Sequence, residues 1–432
     1  MSLDSLPLQI VFAIARELRH DSRSLKALSL VSSSFLAVTR SFLFAKVRIT
    51  SLNPSFNRRR DRLFRLFRSY PDALPHIHTL ELGPPILRMG PNPISNFQTA
   101  HWDAVHRRQQ PSIDDPRIQY IVDGAIGLRS LTLRFEYQDW NNFSPAFQQS
   151  VRNLIVRDSV TSLRIEDVVN FPFHILAECK HLKHLALAYV AQNTIPELDS
   201  VLGYRRPTLK QGSLRSLTLF ESDACVEALV SLLNDPRSSL GIRHLKHLTI
   251  NMTGTDGRSA LEIIPRVSPA IDVLEVRVPQ NHTRMSYLLL SDSTFPSDWS
   301  FPLVLSDAFS QFRLDSFQSL RTLYLNLGHI SSWLFRDIRT FISTSNTIQE
   351  LKLHFRHALA EAPLKLLVDP AVAPQWSRVD PRRLGLPHFQ KIVWVLSPAQ
   401  SALMNDIKKK VEVERFLKAP WDVVFIEVKP GE

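Results

Sequence analysis

One six-letter phrase, apolar-x-x-Leu-x-Leu, recurs through most of this chain. It reads "IHTLEL" from Ile77, "LRSLTL" from Leu128, "VTSLRI" from Val160, "LKHLAL" from Leu182 and "LRSLTL" again from Leu214. It continues as "LKHLTI" from Leu245, "IDVLEV" from Ile271, "LRTLYL" from Leu320 and "IQELKL" from Ile348, with weaker copies "FAKVRI" from Phe44 and "FQKIVW" from Phe389. Successive starts lie 22 to 51 residues apart, most of them near or a little above the roughly 20–29-residue period of leucine-rich repeats. The last two apolar letters are two apart, so on a strand both point to one side and the letters flanking them point to the other.

Stretches between the phrases carry helical spacing. "RLFRLFRSYPDAL" is one; "CVEALVSLLNDP" is another, with Val226, Leu229, Val230 and Leu233 on a single stripe. Strand, loop and helix repeated in this way predict an α/β solenoid over residues 45–432, an irregular, curved array of about ten leucine-rich repeats with a parallel sheet on one face and helices on the other. The longest gaps carry proline- and glycine-punctuated text at 83–96, 279–302 and 372–387. These are expected to be inserted loops, where specific contacts concentrate.

The repeat also accounts for an apparent metal motif. "HLKHL" occurs at His181–Leu185 and again at His244–Leu248, as if four imidazoles were to converge. With one full phrase between the copies they fall two rungs apart, which places His184 and His247 about 10 Å from each other, too far for a shared zinc at about 2 Å per ligand bond. No metal and no cofactor are expected.

Composition narrows the class. The chain is 44% apolar and 22% charged, without an apolar run near the roughly 20 residues that cross a bilayer, so a soluble protein with no membrane partner is expected. The greasy opening "LPLQIVFAIARELRHD" lacks a basic start and a small-residue cleavage site, and reads as folded protein, not an export tag. Two cysteines in 432 residues exclude a disulfide framework and fit a reducing compartment, cytoplasmic or nuclear. Only 12 glycines are present where average usage gives about 30, and no phosphate-binding glycine loop is found. Nor is there a G-x-S-x-G, an H-E-x-x-H or a C-x-x-C, so catalysis is not expected.

Residues 1–44 carry no strand phrase. They divide into three short helices: Pro7 suits the start of the first, which has Ile10, Ile14 and Leu18 at spacings of four; Asp21 or Ser22 can cap the second; Ser32 or Ser33 can cap the third. The order Leu6-Pro7, Ile10, Ile14, Leu18, Asp21, Leu25, then "LSLVSSSF" at 28–35 and Arg40 with "LF" at 43–44 resembles an F-box. Gln9 stands where many members have Glu, Phe35 where many have Trp, and Ser33 replaces a frequent basic residue, while every major apolar landmark is kept. The layout of the remainder is similar to fungal-type F-box proteins with divergent C-terminal leucine-rich repeats.

The resemblance implies a non-catalytic substrate receptor of an SCF-type ubiquitin ligase. The F-box would dock a Skp1-type adaptor, and through it a cullin and a RING subunit, using Leu6, Pro7, Ile10, Ile14, Leu28, Leu30, Val31 and Phe35. The repeats would hold an unknown protein target. Its contacts are expected on the outward sheet face, at Arg164, Glu166, His184, Phe220, His247, Asn251, Arg277, Tyr324, Asn326, Lys352 and His354, with Phe220 and Tyr324 as the aromatic anchors. The alternative is a leucine-rich scaffold outside any ligase, whose first helices only cap the array, with a basic nucleic-acid-binding face.

The net charge is +11, and its densest run is "RRRDRLFRLFR" at 58–68. A basic nucleic-acid or membrane helix is one reading. The preferred reading is the first repeat helix, burying Leu63, Leu66, Phe67 and Tyr70 with its arginines in water, because the next phrase arrives on schedule at Ile77. On that reading a nucleic-acid partner is not expected.

Overall fold

The structure is a computed structural model. It describes residues 6–49, 55–83, 113–191, 212–220, 225–251, 258–277, 316–327, 347–355, 391–396 and 422–427, with residues 222, 314, 388 and 390. The three stretches expected to be inserted loops lie outside the described residues, apart from Gly83. Two compact units divide the chain, the first within 1–87, 96–213 and 235–241, the second within 88–95, 214–234 and 242–432.

The first unit opens with helices α1 (Leu8–Glu17), α2 (Ser22–Leu28) and α3 (Ser33–Leu43). Strands β1 (Lys46–Ile49), β2 (Thr79–Leu82), β3 (Ser130–Asp139), β4 (Ser162–Val169) and β5 (His184–Ala191) then pair in that order, all parallel. Helices α4 (Ser55–Ser69), α5 (Pro116–Gly124) and α6 (Pro145–Ile155) run between them and pack side by side, with 3-10 turns at Pro71–His76 and Phe173–Glu178. A short parallel pair, β6 (Gly212–Ser213) with β8 (Leu240–Gly241), completes the unit.

The second unit pairs β7 (Ser216–Phe220), β9 (His247–Asn251), β10 (Val273–Arg277), β11 (Thr322–Leu327), β12 (Glu350–Phe355), β13 (Lys391–Leu396) and β14 (Asp422–Glu427), again in order and parallel. Helices α7 (Val226–Asn234) and α8 (Arg258–Val267) pack on each other, and the expected stripe Val226, Leu229, Val230, Leu233 is buried. Both units are thus open parallel sheets with helices between the strands, an α/β fold.

Within each unit, every phrase superposes letter for letter on its neighbour. Leu80 lies beside Leu131, Leu131 beside Leu163 and Leu163 beside Leu185; Leu248 lies beside Leu274, Leu274 beside Leu323 and Leu323 beside Leu351. The opening letters Ile77, Leu128, Leu214, Leu245, Leu320 and Ile348 are fully buried, as are most of the inward pairs. A further copy that the sequence pattern did not reveal is β14, whose Val423 and Phe425 fall beside Ile392 and Trp394. Its anchor position is Pro420, which hides it from an apolar template.

A backbone bond fixes the register. Within each unit, the carbonyl of a phrase's second letter accepts the N–H of both the second and the third letters of the next phrase. Ala45 O takes His78 and Thr79, His78 O takes Arg129 and Ser130, Arg129 O takes Thr161 and Ser162, and Thr161 O takes Lys183 and His184, all at 2.8–3.0 Å. The second unit repeats it from Arg215 O, Lys246 O, Asp272 O, Arg321 O and Gln349 O. A carbonyl has two lone pairs, so one group serves both donors at the point where each strand begins.

Beyond the phrase, β4 and β5 bend together. Asp167 (φ 58°) and Tyr189 (φ 55°) are left-handed and stand opposite each other between the pairs Glu166–Ala188 and Val168–Val190. The bend breaks the alternation, so Val168 and Val190 return to the core three residues after Ile165 and Leu187. Gly83 (φ 94°) ends β2, where a Cβ would lie 2.2 Å from Arg134 O; only glycine fits there.

Deleting an inward leucine leaves a cavity between two rungs. Leu131→Ala and Leu274→Ala are each expected to lower unfolding free energy by about 2–5 kcal/mol in denaturant titration. On the outward face, burial raises the Glu81 carboxyl, but Lys46 (3.0 Å) and Arg48 (2.9 Å) outweigh that and hold it below its ordinary 4.5. A depressed carboxyl stabilises the fold above 4.5 and loses that contribution as pH falls through its lower folded value. The stability difference between wild type and Glu81→Gln, measured against pH, should therefore be present at neutrality and shrink as the solution is acidified below 4.5.

Candidate functional site

Two surfaces carry the residues singled out above, and the first is on the N-terminal helices. Asp21 caps α2, accepting from Arg23 N (2.9 Å) and Ser24 N (3.2 Å), and Ser32 caps α3, accepting from Phe35 N at 3.4 Å. These caps set the helices around a small core of Val11, Ala15, Leu25, Phe35 and Val38, against which Leu6, Leu18, Leu28, Phe42 and Leu43 pack.

At 100° per residue, the large apolar side chains of α1 cover an arc of about 200°, wider than one packing stripe. The structure buries the middle of that arc, Val11 and Ala15, with Leu18 half-buried beside them. Ile10 (47% exposed) and Ile14 (37%) flank it on one side, Leu8 (61%) and Phe12 (48%) on the other. The inward stripe is thus Val11–Ala15–Leu18, and of the residues at spacings of four, Ile10, Ile14 and Leu18, only Leu18 shares it. Between α2 and α3 a tight turn, closed by Leu30 N to Ala27 O and Val31 N to Leu28 O at 3.1 Å, holds out Leu30 (87% exposed) and Val31 (44%).

Of the residues expected to dock an adaptor, Pro7, Ile10, Ile14, Leu30 and Val31 are therefore on the surface, and Leu6 and Leu28 are half-buried. Phe35 is not available to a partner. It is 1% exposed and lies in the small core, because the cap at Ser32 starts α3 with its third residue facing inward. Six of the nine large apolar side chains exposed among the described residues fall between Leu8 and Val31, a concentration that monomeric surfaces avoid.

The second surface is the outward face of the strands. In the first unit it is a run of ion pairs: Glu81 with Lys46 and Arg48, then Glu166 with Arg134 (2.6 Å) and Arg164. Glu166 points outward, as its place in the phrase requires, but the two arginines cover it and leave it 1% exposed. Arg134, the next letter after "LRSLTL", was legible as an outward residue and was missed. His184 is exposed in β5.

In the second unit His247 is exposed and Phe220 half-buried. Asn251 and Asn326 were expected on the exposed face and are instead 3% and 4% exposed; they lie on either side of Arg277, one strand away each. Arg277 is held by Glu275 on its own strand at 2.7 Å, and Glu275 also accepts from Thr249 at 3.2 Å. Tyr324 and His354 stack nearly parallel, 6.2 Å between centroids, with the Tyr324 hydroxyl 2.9 Å from His354 Nδ1. Lys352 lies beside Tyr324 and 3.4 Å from Glu350.

His184 and His247 belong to different units. Among the described residues no group of three or more His, Cys, Asp or Glu is placed to hold a metal ion, and no helix is long and apolar enough to cross a membrane. Cys179 and Cys225 are both buried, and Cys225 Sγ lies 2.9 Å from the Ser222 carbonyl. Burial, aided by Glu178, pushes the Cys179 thiol up to about 12, which keeps it protonated and unreactive at neutral pH.

No protein-family model matches the chain, and no curated protein matches it in sequence.

The contrast between Phe35 and Leu30 has a direct consequence for stability. Phe35→Ala is expected to lower unfolding free energy by about 3–5 kcal/mol, whereas Leu30→Ala should change it by no more than about 0.5 kcal/mol. Thermal melts of the two variants check this.

Proposed function

We propose that the chain is an F-box protein whose α1–α3 unit docks a Skp1-type adaptor, and whose leucine-rich repeat solenoid presents a protein target for ubiquitination within an SCF-type ligase. The observation that carries this reading is the apolar surface left over on α1–α3. Ile10, Ile14, Leu30 and Val31 are exposed although the same short segment already has a core of its own. Such surface is costly in water and stable when covered by a partner.

On this reading the protein makes and breaks no bond. It would raise the local concentration of a target beside a ubiquitin-charged enzyme, with compartment set by the ligase, cytoplasmic or nuclear. The target would meet the outward face of the second unit, where His247 is exposed and Phe220, Lys352 and the stacked Tyr324–His354 pair are half-buried. The first unit's outward carboxylates, Glu81 and Glu166, are by contrast each held by two cations of the same face.

A second reading, the helical cap of an interaction scaffold, is favoured by one contact. Phe44, just after α3, meets the buried Phe67 of α4 edge-on at 5.6 Å, and α3 packs on the Pro71–His76 turn. Capping uses this inner side and leaves Ile10, Ile14, Leu30 and Val31 unexplained.

Co-purification of the full chain with a Skp1-type adaptor tests the choice. The wild type is expected to retain the adaptor, and Ile10→Asp/Leu30→Asp to lose it with an unchanged melting temperature. Retention at full strength by the double variant would leave only the scaffold.

A further inference from the structure

The arginine run of α4 was read as a solvated face of the first repeat helix. Its inner side is as expected in part. Phe67 is fully buried, Leu63 and Leu66 are half-buried, and Phe64 packs edge-on against Tyr120 at 5.5 Å. Tyr70, expected in the core, is instead 49% exposed, with the Arg40 guanidinium over its ring at 4.9 Å.

The outer side is more than scattered charge. Arg58, Arg62, Arg65 and Ser69 fall within about 60° of one another around the helix, and the three arginines span about 10 Å along it. All three are exposed. Two nearby carboxylates are occupied by other arginines: Asp61 by Arg60 (3.1 Å) and Arg117 (2.6 Å), and Asp115 by Arg60 (2.7 Å). Among the described residues Arg58, Arg62 and Arg65 form no ion pair; Arg65 Nε donates only to the Asp61 carbonyl at 3.4 Å. A shallow groove beside the row is lined by Arg62, Arg65, Leu66, Ser69 and Tyr70.

We infer that this face binds single-stranded nucleic acid, with Arg58, Arg62 and Arg65 along the phosphate backbone and the Tyr70–Leu66 side of the groove taking a base. A row of uncompensated guanidinium groups with an exposed aromatic at its edge is what a flexible polyanion with flat bases needs. The Arg40 cation holds the Tyr70 ring in place and adds charge at the same edge. A duplex keeps its bases stacked inside and would leave the Tyr70–Leu66 side of the groove without one. Insertion into a lipid surface would require an apolar face, and that of α4 is spent on Phe67 and Phe64. The inference does not depend on the adaptor reading, since the residues involved are different.

Fluorescence anisotropy of the full chain with a fluorescein-labelled deoxythymidine oligonucleotide tests it. Binding should weaken with salt at a logarithmic slope of about −2 to −3, for three or four phosphates neutralised on a single strand. Arg58→Glu/Arg62→Glu/Arg65→Glu should weaken it at least about tenfold, and the corresponding triple lysine variant should stay within about threefold of wild type. Tyr70→Ala, expected to weaken it about tenfold, adds no charge and keeps the test open if the glutamate variant unfolds. No binding by wild type, equal binding by the glutamate and Tyr70→Ala variants, or equally tight binding of duplex, polyglutamate or phosphatidylserine vesicles would each overturn it.

Discussion

The doubly accepting carbonyl at the second letter of each phrase is the contact on which the rest of the structure depends. From Ala45 to Gln349 it ties the start of one strand to the start of the next within each unit. Because the bond is made by backbone, it is indifferent to whether the second letter is Arg, Lys, His, Thr, Asp or Gln. The buried anchor before it and the two inward leucines after it supply the apolar burial, roughly 1.5–3 kcal/mol for each large side chain. Register and burial thus use three letters and one carbonyl, and the remaining outward letters are free to differ. The ion pairs of the first unit and the Tyr324–His354 stack of the second are built in that freedom.

This division explains what could be read from the sequence. A period-2 leucine pair ahead of a helical stripe is a local signal, so the strands from β1 to β13 with a phrase, and the stripe of α7, were legible. β14 was not, because Pro420 occupies its anchor position. Outwardness was legible and exposure was not: Glu166 sits where the phrase puts it, yet its burial depends on Arg134 one strand away and Arg164 two residues away. Asn251 and Asn326 make the same point. The left-handed pair Asp167 and Tyr189 was not legible: Asp adopts that conformation more readily than most residue types, but Tyr189, set opposite it, does not announce it.

The N-terminal helices show a different limit. Apolar letters at helical spacing reveal that a helix is amphipathic, but an arc as wide as that of α1 leaves the inward direction undetermined. Packing decided it for Val11 and Ala15, which pushed Ile10 and Ile14 to the surface and drew Phe35 inward. The same 40 residues therefore hold two apolar surfaces with different duties: one closes a core and rests on the first repeat through Phe44 and Phe67, the other faces solvent. The adaptor reading rests on that second surface.

A photocrosslinking amino acid placed at position 30 tests this most directly, in full-length protein mixed with a Skp1-type adaptor, with the exposed Ile126 position, outside α1–α3, as the control. A crosslink to the adaptor is expected from position 30 and none from position 126. Absence of a crosslink from position 30, or equal yields from both positions, would contradict it.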